Sequence, residues 1–274
     1  MQKDSRDFRD KALRLVQITD THLYRDPRAV LLGLNTNESF EKVIDLIASS
    51  EVGPDIIVGT GDIAQDASAE SYHRFAAGVA KLCAPFYWIP GNHDSRKVMR
   101  ALPQYPSANT TQIIQGNWQI LMLDTSVEHE VHGFLSEAEL SRLELQLLKL
   151  PAGVEHSIIC LHHNPVPGRA SWMRDIGLRN ADALLAVLKK NPLTVRAVVY
   201  GHIHQTLDYM HEGFRFFCTP STCIQFEPHA EQFTLDKQAP AYRWFDLYAD
   251  GRFDTAVEHL QNYTIHVDMS AGGY

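Results

Sequence analysis

The chain of 274 residues holds no apolar run long enough to cross a bilayer. Basic residues are outnumbered, 25 Lys and Arg against 33 Asp and Glu, leaving a formal charge of −8 with histidine neutral. That balance argues against broad binding to nucleic acid or to anionic membranes. A basic groove interleaved with aromatics is also missing, which disfavours a nuclease. Cysteine is scarce: Cys83, Cys160, Cys218 and Cys223 stand at neither metal nor redox spacing. Three of them lie in or beside apolar strands, so buried, reduced thiols are expected rather than disulfides. With no repeat, low-complexity tract or linker, residues 1–274 are expected to form one domain, its core running from about 14 to about 260. The opening residues, Met1 to Asp7, are charged and carry neither an apolar stretch nor a small-residue cleavage site. A cytoplasmic protein with no membrane partner is the expectation.

What the sequence does contain is a repeated alternation of strand and helix patterns. Leu13 to Thr19, Asp55 to Thr60, Pro85 to Ile89, Gln119 to Leu123, His156 to Leu161 and Val195 to Tyr200 read as buried strands. Helical spacing marks 38–50, with Asn37 as the expected N-cap, then 68–82 and 180–190. Ser136 with Glu139 three residues on reads as a capping box that opens a helix ending at Pro151. Phe214 to Cys218, Tyr242 to Tyr248 and Arg252 onward read as later strands, the last two joined at Ala249-Asp250-Gly251. Residues from Gln261 are expected to form a loosely held tail. Repeated β-α-β predicts an α/β protein whose mostly parallel sheet is covered by helices. Sheets of that kind bind ligands beyond the carboxyl ends of their strands.

Chemistry-bearing residues gather at those ends. Asp20-Thr21-His22, Gly61-Asp62, Gly91-Asn92-His93-Asp94, His162-His163 and Gly201-His202-Ile203-His204 each follow an apolar run. His-x-His alone is a weak signal, since most such pairs are surface or core histidines. Five strand ends that all deliver His, Asp or Asn predict a site for two metal ions. On extended backbone, residues two apart share a side, so His202 and His204 are expected to face one point. His162 and His163 are successive, and only one of them can do so. Asp124 ends a strand as well. Imidazole and oxygen donors without thiolate suit iron or manganese, with zinc as the alternative, better than magnesium. The remaining histidines lack spacing partners and read as core or surface residues.

This order of motifs resembles the calcineurin-like metallophosphoesterase family. Within it, Gln17 to Leu23, Leu31-Leu32-Gly33, Asn35-Thr36, Leu178-Arg179-Asn180, His204-Gln205 and Thr219 to Phe226 are similar to the bacterial class III 3′,5′-cyclic-AMP phosphodiesterases. The resemblance implies a four-layer α/β/β/α sandwich with two packed, mixed or mostly parallel sheets. It implies one metal on Asp20, His22 and His204, a second on Asn92, His162 and His202, and Asp62 between them. It further implies hydrolysis of 3′,5′-cyclic AMP to 5′-AMP, controlling intracellular cyclic AMP, with a cyclic nucleotide as the small-molecule partner. His22, Asp62, Asn92, His93 and His204 are expected to meet the substrate. His93 would protonate the departing 3′ oxygen, and Asp94, where some relatives carry Glu, would hold the imidazole's other nitrogen. Arg179 is read as either a substrate contact or a solvated helix start. Phe226 and its loop are read as either a wall for the base or a core position. Two alternatives stand beside this activity. One is another small phosphodiester, such as a 2′,3′-cyclic nucleotide, a glycerophosphodiester or a nucleotide pyrophosphate; the other is a non-catalytic scaffold of the same fold.

Overall fold

Alternation of side chains along the buried strands decides the architecture, which a computed structural model describes for residues 12–168, 170–265 and 268. Along the first half run β1 (Leu13–Ile18), the short pair β2 (Val30–Leu31) and β3 (Leu34–Asn35), α1 (Thr36–Ala48), β4 (Ile56–Thr60) and α2 (Ala69–Ala80). They are followed by β5 (Phe86–Ile89), α3 (Arg96–Arg100), β6 (Gln112–Gln115), β7 (Trp118–Met122) and α4 (Glu137–Leu148). The second half adds β8 (His156–Cys160), α5 (Ala181–Lys189), β9 (Val195–Tyr200), β10 (Leu207–His211) and β11 (Phe214–Cys218). A short pair, β12 (Gln225–Phe226) and β13 (Leu235–Asp236), precedes β14 (Ala241–Leu247) and β15 (Phe253–His259).

Two mixed sheets result. The first has the order β15-β14-β1-β4-β5 and the second β10-β11-β9-β8-β7-β6. Parallel pairing joins β1, β4 and β5 in one, and β7, β8, β9 and β11 in the other. The antiparallel strands sit towards the edges. Leu15, Ile56, Val58 and Ile89 of the first sheet meet Trp118, Ile120, Ile158, Val199 and Phe217 of the second in a middle layer. The alternate residues Val16, Ile18 and Ile57 turn outward against Phe40, Ile44, Phe75 and Val79 of α1 and α2. Leu121, Ile159 and Val198 turn outward against Leu143, Leu147, Leu184 and Leu188 of α4 and α5. Three apolar layers separate four layers of structure, each fully buried large side chain contributing roughly 1.5–3 kcal/mol. This is why the strands read as continuous apolar runs: both of their faces are covered.

Several local expectations need correction. The N-cap of α1 is Asn35, whose side chain accepts the Glu38 N–H at 2.9 Å, so Asn37 already lies inside the helix. Ser136 caps α4 through the Glu139 N–H, yet the Glu139 carboxylate turns away to the Asp124 N–H and to Arg142. β6 and β10 had no counterpart in the sequence reading because each is a short edge strand with polar residues among the apolar ones. The tail read from Gln261 is described through residue 265 and at Asp268; its remainder lies outside the described residues. The described part is packed: Tyr263 and Ile265 lie against the outer core, and Lys42 sits over the Tyr263 ring at 5.0 Å. All four cysteines are free, with Cys83 exposed and the other three buried. No helix among the described residues is long and apolar enough to cross a membrane.

Candidate metal centre

The turns that leave β1, β4, β5, β8 and β9 meet at one edge of the sandwich. They are held in register beyond the strands: Asp20 N–H donates to Gly61 O at 3.0 Å, His22 N–H to Asp62 O at 2.9 Å, and Gly201 N–H to His162 O at 3.1 Å. Extended geometry does not carry the side chains. Asp20, His22, Asp62, His202 and His204 all adopt positive φ, between 44° and 69°. Such left-handed backbone costs a non-glycine residue about 1–2 kcal/mol. The convergence of His202 and His204 therefore comes from a strained turn past β9, not from the alternation expected of a strand.

Below these turns lies a polar tie between the sheets. Gln17, fully buried on β1, donates its amide to Thr60 Oγ1 at 2.8 Å and to the Tyr200 carbonyl at 3.2 Å. Its carbonyl oxygen accepts from Thr219 at 2.6 Å, and Arg243 donates to the same Thr219 oxygen at 3.2 Å. One side chain thus joins β1 and β4 of the first sheet to β9 of the second, within three residues of Asp20, Asp62 and His202.

Hydrogen bonding fixes which imidazole nitrogens are bare. His162 Nδ1 donates to Thr60 O at 2.8 Å, His204 Nδ1 to Ile224 O at 2.7 Å, and His202 Nε2 to Ile176 O at 2.9 Å. His22 Nδ1 faces the Gln65 side-chain oxygen. In the neutral rings these contacts place the proton on the outer nitrogen and leave the inner one a lone pair. The inner atoms then crowd one another as acceptors. His22 Nε2 stands 3.2 Å from His204 Nε2, which is 3.3 Å from Asp20 Oδ1. His162 Nε2 is 3.2 Å from Asn92 Oδ1 and 3.3 Å from Asp62 Oδ2. Asp62 Oδ2 lies between the groups, 3.8 Å from His22 Nε2, and has no hydrogen-bond partner; nor has His202 Nδ1.

Buried lone pairs facing lone pairs are unfavourable unless a cation sits among them. The titration behaviour agrees. Burial pushes His22 and His202 down to about 3. Burial also opposes a charge on His162, but the Asp62 carboxylate prevails and lifts that ring to about 9. Without a cation, the carboxylates draw in a proton instead. The donor set therefore fits metal, with oxygen and imidazole ligands gathered on both sides of one carboxylate oxygen.

The other expected site residues fall as follows. His93 and Asn92 both point inward, which the turn after β5 allows; the His93 ring packs edge-on against His22 with centroids 5.0 Å apart. Its main-chain N–H donates to Asp62 Oδ1 at 2.9 Å. Asp94 serves a different purpose from the one expected. Its carboxylate accepts the N–H groups of Gly91, Ile63 and Ala64 at 2.8, 3.1 and 2.9 Å. It clamps the loop that carries Asn92 to the turn that carries Asp62, where the sequence reading had paired it with the His93 imidazole. Burial and the neighbouring Asp62 charge raise Asp94 to about 6, against the pull of those three donors.

His163 is committed to protein partners, Thr125 Oγ1 at 2.7 Å and Val131 O at 3.1 Å. Asp124 holds Arg96 and the Ser126 turn. Phe226 stacks on the His204 ring, centroids 4.1 Å apart, and is 1% exposed, which makes it a support for that ligand candidate rather than a wall for a base. Arg179 is exposed and lines a cavity of about 460 Å³ with Arg174 and His211, apart from the one that reaches Asn92 and His93. Sequence reasoning missed Gln65 and the carbonyls of Thr60, Ile176 and Ile224, which orient the rings; main-chain acceptors leave no mark in side-chain pattern.

Close approach also explains a glycine. A Cβ on Gly91 would stand 2.1 Å from Asp62 Oδ1 and 2.4 Å from Asp62 N. Gly91→Ala is expected to displace Asp62, reduce bound metal and slow turnover roughly 100-fold. Metal analysis with steady-state kinetics checks this, and a fully loaded variant of normal rate would contradict the geometry.

A four-layer sandwich with oxygen and imidazole donors at the carboxyl edges of both sheets defines the metal-dependent phosphoesterases. The profile of the family described as calcineurin-like phosphoesterase matches residues 13–206, and the chain belongs to that family. It is 43% identical over 264 residues to the 3′,5′-cyclic adenosine monophosphate phosphodiesterase CpdA of Escherichia coli K12, covering 96% of this chain and 95% of the relative. With the protein of the same description from Pseudomonas aeruginosa it shares 38% identity over 265 residues, 97% of this chain and 96% of that one. Among solved structures, a dimetal phosphatase from Danio rerio superposes with a TM-score of 0.69 at 15% identity, over 91% of this chain and 97% of that one. At that identity the likeness speaks for the fold.

Proposed function

We propose that the protein hydrolyses the cyclic phosphodiester of 3′,5′-cyclic AMP to 5′-AMP at a pair of metal ions. The observation that carries the metal pair is Asp62 Oδ2, buried without a partner between the His22 and His162 nitrogens. The names of the full-length relatives support the substrate. Asp20, His22 and His204 would hold one ion and Asn92, His162 and His202 the other, with Asp62 bridging. Iron or manganese suits these donors, zinc being the alternative. Bound there, the pair supplies Lewis acidity toward the phosphoryl oxygens and an acidified nucleophilic water.

The chain's own residues do the rest. Outer hydrogen bonds on each imidazole keep the inner nitrogens aimed, so the site is organised before substrate arrives. Asn92 and His93 stand on the open side, where the cyclic phosphate enters. His93 donates a proton to the 3′ oxygen as its bond to phosphorus breaks, since an alkoxide is a poor leaving group. Asp94 keeps His93 in place through the loop rather than through the ring. On this reading the enzyme lowers an intracellular second messenger and works in the cytoplasm. We take residues 1–274 as one domain, since β1 and β14 from opposite ends of the chain pair in one sheet.

Chelation is expected to abolish activity and added Mn²⁺ to restore it; full turnover in excess chelator after prolonged dialysis contradicts the proposal. A panel of cyclic and linear phosphodiesters at matched concentration tests the substrate. Equal rates across the panel would remove cyclic AMP as the preferred one.

A further inference from the structure

A cavity of about 580 Å³ opens beside His93, within the roughly 300–1,000 Å³ typical of small-molecule sites. Residues 91–97, in the turn after β5 and the start of α3, form one wall; residues 126–129, after β7, form the other. Arg96 spans the two. Its Nε pairs with Asp124 Oδ2 at 2.6 Å, and its Nη2 donates to Ser126 O at 2.8 Å and to Ser126 Oγ at 2.9 Å. The guanidinium is therefore held by its edge while the side chain stays 46% exposed.

A planar cation fixed by its rim and open on a face is a platform for a flat ring. The rings and the second guanidinium on this cavity are less well placed. His93 is taken up against His22, and the His129 side chain is 90% exposed, its carboxylate neighbour Glu128 3.6 Å away. Arg100 also lines the cavity, but it is 65% exposed and only approaches Asp124 Oδ2 at 4.0 Å, so its plane is not fixed as that of Arg96 is. Phe226, the aromatic that the sequence offered for this purpose, is already stacked on His204.

We infer that this cavity receives the nucleoside half of the substrate, with the purine stacked on the face of Arg96. The inference rests on the cyclic-nucleotide reading above and adds a specificity determinant to it. A diester seated against Asn92 and His93 projects its ribose and base into the only space lined by both of those residues among the cavities described. Arg96 discriminates by stacking, so the contribution appears in base-dependent affinity and not in the chemical step.

Metal-loaded wild type, Arg96→Lys and Arg96→Ala are compared on cyclic AMP and on the abasic ribose 3′,5′-cyclic phosphate, which keeps the reacting diester and lacks the purine. In both variants the ratio of kcat/KM for cyclic AMP to that for the abasic compound is expected to fall about tenfold, through KM. Lysine keeps the charge beside Asp124 but has no flat face. Restoration by Arg96→Lys would show that the ion pair alone matters and overturn the stacking role, as would equal losses on both substrates. Wild type that turns over other phosphodiesters but not cyclic AMP defeats the functional reading itself, a result visible before any variant is made.

Discussion

Asp62→Asn is expected to lower kcat by at least about 1,000-fold and to leave the protein short of metal, as several kcal/mol of charge stabilisation would vanish. The substitution changes almost no shape. Asn can still accept the His93 N–H that Asp62 Oδ1 takes now at 2.9 Å, so the loop after β5 keeps its anchor. What disappears is the charged second oxygen, the atom set between His22 and His162. An amide offers one neutral acceptor and one donor group there, and the donor would face nitrogens whose lone pairs await a cation. Metal analysis after reconstitution, together with turnover of cyclic AMP, decides the matter. A variant with full metal content and more than about a tenth of wild-type turnover would mean that Asp62 does not bridge.

His93→Ala is expected to behave in the opposite way, with metal content and KM near normal and kcat down by about 100- to 10,000-fold. The residue's main-chain N–H, not its ring, holds Asp62, so truncation leaves that bond in place. What is lost is the ring, the proposed proton donor on the open side, together with its edge contact to His22. The size of the effect should depend on the leaving group. A nitrophenolate departs without help, and a 4-nitrophenyl phosphodiester is expected to lose little in the variant while cyclic AMP loses most. Equal losses on the two substrates would place His93 in binding or in support of His22, whose ring it packs against at 5.0 Å.

Strand ends were the legible part of this sequence. Val195–Tyr200 and Phe214–Cys218 appear in the structure with the bounds that their apolar runs suggest, because strands covered on both faces stay almost wholly apolar; each has one interruption, the half-buried Arg196 or Arg215, near its start. That chemistry collects just past such strands follows from parallel pairing, and the candidate ligands do meet there. The aim of the ligands was illegible. His202 and His204 have φ of 69° and 44°, values that a run of His and Ile does not advertise. Nor does periodicity separate one sheet from two. Leu15 and Val16 are equally apolar, yet one faces the second sheet and the other faces the helices. Asp94 was misjudged for a similar reason. Its partners are main-chain N–H groups brought from Ile63 and Ala64, thirty or so residues away, and no side-chain pattern records them.

The tie made by Gln17, Thr60, Tyr200 and Thr219 joins the two halves at the level from which the donor turns spring. An unfolded or half-assembled chain consequently has no place for the ions, and occupancy is coupled to the folding equilibrium. Free metal at 100 times its dissociation constant would add about 2.7 kcal/mol to the native state. Scarcity of the ion would then act twice, silencing the chemistry and also lowering the melting temperature, so that supply governs how long the polypeptide survives proteolysis.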